Sequence, residues 1–145
     1  MAKYQKPGFF TKHVANPLLE LMMKLGMSAR GSRILSVKGR RSGKTYTTPV
    51  NPLSFEDQRY LVAPRGETGW VKNIRVSREG ELRLGGKREP IRVEEVGNDV
   101  KEPILRAYLA NWKAETSIFF GGVTDESPAE ELRRIAPDHP IFRIV

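Results

Sequence analysis

From Arg33 onward, apolar and polar positions alternate in short runs. Arg33–Val37, Tyr46–Leu53, Arg59–Val62, Glu81–Leu84, Ile91–Glu94 and Ile141–Val145 are rich in β-branched or aliphatic residues, and several of them alternate strictly. A period of two suits a strand with one buried face and one wet face. Glu56-Asp57-Gln58 and Gly85-Gly86-Lys87 supply turn residues between adjacent strands of expected hairpins. Helical spacing interrupts the strands at Trp70–Arg78, Glu102–Lys113 and Ser127–Ile135. In the last of these, Ser127 is placed to cap, Pro128 sits in the first turn and Glu130 completes a capping box. Upstream, Leu18, Leu21, Met22 and Leu25 share one face of a helix opened by Pro17 and stopped by Gly26. The pattern predicts a mainly β, α+β fold: a small antiparallel barrel or sheet with three to four flanking helices. Residues 1–30 read as a basic arm and a helix packed on the domain, and residues 31–145 as a single domain with no repeat or low-complexity tract.

Composition narrows the chemistry. A chain of 145 residues can bury one core without staples, and with no cysteine there is no disulfide framework. No stretch is apolar enough for a leader or a membrane span, so the expectation is a cytoplasmic protein. The net charge of +8 calls for a polyanionic partner, whether nucleic acid, anionic membrane or a multiply charged small molecule. His13 and His139 are the only histidines, so a transition-metal site is not expected, and neither lies in a nucleophile motif. His139, between Asp138 and Pro140, reads as a turn residue, and the pairs Glu94-Glu95 and Glu130-Glu131 read as solvated. An enzyme so equipped would leave the chemistry to a cofactor, and no catalytic residue is assigned.

One stretch stands out: KGRRSGKTYTTP, Lys38 to Pro49. Gly39 and Gly43-Lys44-Thr45 imitate a phosphate-binding loop, but one residue short of the length that lets backbone N–H groups wrap a phosphate. The segment after it, Thr45 to Val50, is β-branched and carries a proline near its end, a strand rather than the required helix. The simplest reading is a basic hairpin, with Ser42-Gly43 reversing the chain.

A second stretch, Leu61 to Arg75, runs from a strand through a glycine-punctuated loop into a helix carrying Trp70 and Asn73. Together with Gly39-Arg40-Arg41-Ser42-Gly43 and Thr47-Thr48-Pro49, in order and spacing, it closely resembles the deazaflavin-dependent nitroreductase family over about Arg33 to Val96. The resemblance implies a split β-barrel that binds coenzyme F420, a 5-deazaflavin with a phospholactyl and oligoglutamate tail. Arg40, Arg41 and Ser42 resemble the residues that hold that tail. Tyr46, Thr47, Thr48, Pro49 and Val50 match the strand beside the coenzyme. Ala63, Pro64, Arg65 and Gly66 match the loop near phosphate and ring, while Gly69, Trp70, Val71, Lys72 and Asn73 match the helix start, whose open N–H groups favour anionic oxygens. The chain departs from relatives that carry a lysine in that loop, where Arg65 stands, and from those with C-terminal tyrosines, where Trp112, Phe119 and Phe120 are the candidates for the substrate pocket.

The implied activity is hydride transfer from reduced F420 to an electron-poor small molecule: an activated alkene, a quinone or a nitro-aromatic. Three alternatives stay open. FMN could serve on the same barrel, the chain could carry deazaflavin without catalysis, and a nucleic-acid-binding barrel would need exposed aromatics that the strands lack. Monomer and homodimer are both compatible with the sequence. Peripheral membrane contact through residues 1–25 is a further option, because quinone acceptors live there.

Overall fold

The computed structural model describes residues 31–145; the predicted N-terminal arm and helix lie outside the described residues. In chain order the strands are β1 (Arg33–Lys38), β2 (Thr45–Val50), β3 (Leu53–Phe55), β4 (Gln58–Val62), β5 (Glu79–Leu84), β6 (Lys87–Glu95) and β7 (Ile141–Ile144). The helices are α1 (Gly69–Ser77), α2 (Lys101–Thr116) and α3 (Ala129–Ile135). All neighbouring strands are antiparallel, in the order β2-β1-β5-β6-β7-β4-β3.

The two outermost strands of that order, β2 and β3, are joined by Asn51-Pro52 alone. Laid flat, seven strands would separate the edges by roughly 29 Å at about 4.8 Å per strand, whereas two residues reach about 10 Å. The sheet therefore curls until its edges face each other, giving a split β-barrel of the α+β class. Pro49 lies on the outer strand β2, where a missing ladder donor is tolerated. The predicted strand Tyr46–Leu53 is accordingly two strands, broken at the Asn51-Pro52 corner.

Local chemistry sets the hairpins. Glu56 and Asp57 both take left-handed backbone, φ 48° and 63°, between the paired Phe55 and Gln58, which matches the right-handed twist of the strands they join. At Gly85-Gly86, Gly85 supplies φ 58° between Leu84 and Lys87. Long β6 belongs to both halves of the barrel: it pairs β5 through Lys87–Arg92 and β7 through Val93–Glu95.

Strand alternation divides the core in two. Leu35, Val37, Leu61, Leu82, Phe142 and Ile144 face the barrel interior, plugged by Val71 and Ile74 of α1. Tyr60, Val62 and Ile141 face the other way, onto Leu105, Tyr108, Leu109, Trp112 and Leu132 of α2 and α3. The capping box expected at Ser127 does not form: its hydroxyl accepts from the Thr124 N–H at 2.9 Å, and the N-cap position of α3 is Pro128, which has no side-chain cap to give. The Ser127 carbonyl is taken by Arg106 Nη1 at 2.9 Å, so Ser127 is committed to the preceding loop. Among the described residues, no helix is long and apolar enough to cross a membrane.

Candidate functional site

The basic stretch is a hairpin tip between β1 and β2. Gly39 N–H donates to the Lys44 carbonyl at 2.7 Å, and Gly43 N–H to the Gly39 carbonyl at 3.1 Å, with Gly43 at φ 73°. Inside the turn, Lys44 N–H donates to Ser42 Oγ at 3.2 Å, and the Ser42 and Tyr46 hydroxyls lie 3.4 Å apart. The tip is compact: a Cβ at Gly39 would lie 2.6 Å from the Tyr46 ring. Arg40, Arg41, Ser42 and Lys44 are all exposed. Asn73 of α1, buried at 7% exposure, accepts on Oδ1 from the Arg40 backbone N–H at 3.1 Å and from Arg40 Nη1 at 2.8 Å. Arg40 and Asn73, predicted separately, are thus one unit joining the hairpin to α1.

The loop from β4 to α1 is pinned at both ends. Ala63 N–H donates to the Pro140 carbonyl at 2.9 Å, and the Ala63 carbonyl accepts from Gly66 N–H at 3.2 Å and from His139 Nδ1 at 3.1 Å. A carbonyl only accepts, so Nδ1 carries the His139 proton. Gly66 is buried and sits at φ 79°, a conformation that favours glycine. At the other end, Arg75 forks onto Glu67 at 2.8 and 3.0 Å and onto Glu95 at 2.8 and 2.9 Å. Those bonds hold the Glu67 carboxyl below its usual range and raise the Arg75 guanidinium. Arg65 lies over the Phe119 ring, 5.6 Å from its centroid.

Helix α1 starts without a side-chain cap. Thr68 precedes it in extended conformation, and its Oγ1 is buried with no hydrogen-bond partner among the described residues. Trp70 is half-buried and packs on Phe142, ring centroids 5.8 Å apart, so it anchors the helix while keeping part of its surface accessible. Gly69 and Lys72 are exposed, and Val71 is sealed in the core.

Alternation distributes the β2 candidates over two faces. Tyr46, Thr48 and Val50 oppose Val37, Leu35 and Arg33 in the ladder, whereas Thr47 opposes Ser36 and Pro49 opposes Ile34. Thr47 lines a recess of about 910 Å³ together with Lys38, Thr45, Arg83, Arg88 and Arg92. The two buried members of the C-terminal trio, Trp112 at 1% exposure and Phe120 at 2%, belong to the helical core, leaving Phe119 as the one partly accessible.

Three residues outside the sequence-derived set organise this region. His139 does sit in a turn, its N–H donating to the Ala136 carbonyl at 3.2 Å, but it is buried, stacks on Phe120 at 4.3 Å between centroids, and has its pKa lowered from 6.5 by that burial. Its partner Ala63 is 76 residues away, so no local pattern reveals the pair. Lys101 is also buried, donates from Nζ to the Ala136 carbonyl at 3.0 Å, and has its pKa lowered by desolvation. Arg75 was legible only as a charge on a helix. No group of three or more His, Asp or Glu side chains able to hold a metal occurs among the described residues.

A family model described as F420H(2)-dependent quinone reductase matches residues 6–121. No curated protein matches. Among solved structures, the chain is similar to one described as a domain-swapped dimer, with 16% identity, TM-score 0.55, and 89% of this chain and 95% of that one covered. It is similar to an F420-H2 dependent reductase at 16% identity, TM-score 0.51, covering 80% of this chain and 95% of that one. A third similarity is to a NimC/NimA family protein from Clostridium acetobutylicum, at 12% identity and TM-score 0.52 over 92% of this chain and 86% of that one. At such identities the structures speak for the split-barrel fold alone.

Proposed function

The chain belongs to the F420H(2)-dependent quinone reductase family, and from that premise we propose that the β1–β2 hairpin holds the anionic tail of F420 while the β4–α1 loop and the head of α1 hold its phosphate and ring edge. The protein is an F420-dependent reductase, and the coenzyme is its hydride donor. The observation that supports this reading is the pair of hydrogen bonds that Arg40 donates to Asn73 Oδ1, which ties the exposed cations of the hairpin to α1.

The residues present fit such a group. Arg40 and Arg41 offer planar forks to oxyanions, and Lys44 adds a point charge. The uncapped start of α1 and the unpartnered Thr68 Oγ1 offer donors that a phosphate or ring oxygen would satisfy. When bound, the reduced deazaflavin supplies a hydride, which a quinone takes up together with a proton. The chain's own part is to position and to exclude water. His139 and Arg75 fix the two ends of the loop, and the exposed parts of Trp70 and Phe119 give apolar walls suited to a flat, electron-poor acceptor. Positioning in near-attack geometry can contribute up to roughly 7–11 kcal/mol of barrier reduction.

Titrating the protein with F420 and separately with FMN, by coenzyme fluorescence at two salt concentrations, tests this reading. The expected result is salt-sensitive binding of F420, weakened about ten-fold or more by R40A/R41A, because charge-assisted bonds of roughly 1.5–3 kcal/mol are lost. Binding of FMN alone would sink the reading. Steady-state assays with reduced F420 and a soluble quinone, a nitro-aromatic or an activated alkene then separate the acceptor classes, with the quinone expected to be fastest.

A further inference from the structure

We infer that Asn73 is a positioning residue of the coenzyme site, acting on the anionic tail through Arg40 rather than by touching the ligand. This rests on the hairpin holding the tail.

Asn73 is one of a few buried polar residues, fixed between Val71 and Ile74, which are fully buried in the barrel core. Its carbonyl oxygen has two lone pairs, and Arg40 occupies both: the backbone N–H at 3.1 Å and Nη1 at 2.8 Å. The first bond fixes where the hairpin begins relative to α1, and the second fixes the direction in which the guanidinium points. An exposed arginine otherwise loses considerable rotamer freedom when it grips a ligand. With Nη1 held by a core-anchored oxygen, that loss is taken on folding, and the remaining N–H groups stay presented for a phosphodiester or carboxylate. The turn hydrogen bonds at Gly39, Gly43 and Lys44 keep the tip rigid around this anchor. Asn73 is therefore a specificity element for tailed over tail-less deazaflavin.

The test compares two ligands, F420 and the deazaflavin chromophore lacking phosphodiester and glutamates, on wild type, N73A, N73D, R40A and N73A/R40A, with thermal melts alongside. N73A is expected to weaken F420 about ten-fold, in line with loss of a hydrogen bond to a charged group, and to leave the tail-less ligand within about two-fold. N73D keeps an acceptor oxygen for both Arg40 donors and is expected to restore F420 affinity to within about three-fold of wild type, since the charge-assisted pair is retained. The double variant should bind F420 no more weakly than R40A alone, because both changes remove one interaction. Should N73A prove unfolded at the assay temperature, N73S, too short to reach both donors, carries the same expectation. Equal weakening of both ligands by N73A, or full additivity with R40A, would overturn the inference. Wild-type protein that binds neither ligand would instead overturn the tail-site reading beneath it.

Discussion

At the scale of single residues, His139 illustrates how a titratable group can be structural. Its ring donates from Nδ1 to the Ala63 carbonyl, stacks on Phe120 and is held neutral by burial. Because its folded pKa lies below the ordinary 6.5, the unfolded chain binds more protons between those two values. The stability tied to the neutral ring is thus fully present above pH 6.5 and falls as pH drops towards the folded value. Glu67 and Glu89, whose pKa values are lowered from 4.5 by their arginine partners, contribute stability that is lost only at more acid pH, so the two windows separate. Urea titrations between pH 7.5 and 5.5 should show the midpoint falling for wild type and much less for H139Q, which should itself cost about 1–3 kcal/mol at neutral pH through lost packing. Its neighbours in the chain, Asp138 and Pro140, point only to a turn, since a residue's burial depends on what the rest of the chain places around it. Arg40 and Asn73 were each picked out as candidates in the sequence, but their bond across 33 positions was not legible there.

At the scale of elements, turn chemistry and alternation made the hairpins legible, while the joints between them needed close approach of distant strands. β1 and β5 meet where a side chain has been dispensed with: a Cβ on Gly80 would lie 2.8 Å from the Ser36 backbone oxygen. G80A must push the two strands apart or strain the ladder, at about 1–3 kcal/mol for overpacking of this kind. A thermal melt should show the loss, whereas alanine at Gly86, whose Cβ would meet nothing within 4 Å, should lose far less. Helix positions followed from spacing, but end points did not. α2 runs on to Thr116 past a break in its geometry at Trp112, and α3 has no cap because Ser127 bonds backwards. The second departure is local, a bond to the Ser127 hydroxyl from a backbone N–H three residues earlier.

At the scale of the molecule, the fold class was legible and the strand order was not, because β1·β5, β4·β7 and β6·β7 join residues far apart in the chain. The open edges at β2 and β3 each pair on one side only. Native-state amide exchange should therefore find β2 and β3 opening at lower free energy than β5 and β7, and equal protection throughout would argue for closed ladders across the split. The place of β7 has one more consequence, in the history of each newly made chain. β7 is the last strand in chain order, yet it lies between β6 and β4. Until Ile141–Ile144 leave the ribosome, the nascent polypeptide holds two half-sheets with their facing borders bare, one of them running Tyr60, Leu61, Val62. Such borders invite pairing with neighbouring chains, and charges flank them at Arg59, Glu94 and Glu95. The two borders are therefore most open to such pairing in the interval before β7 arrives.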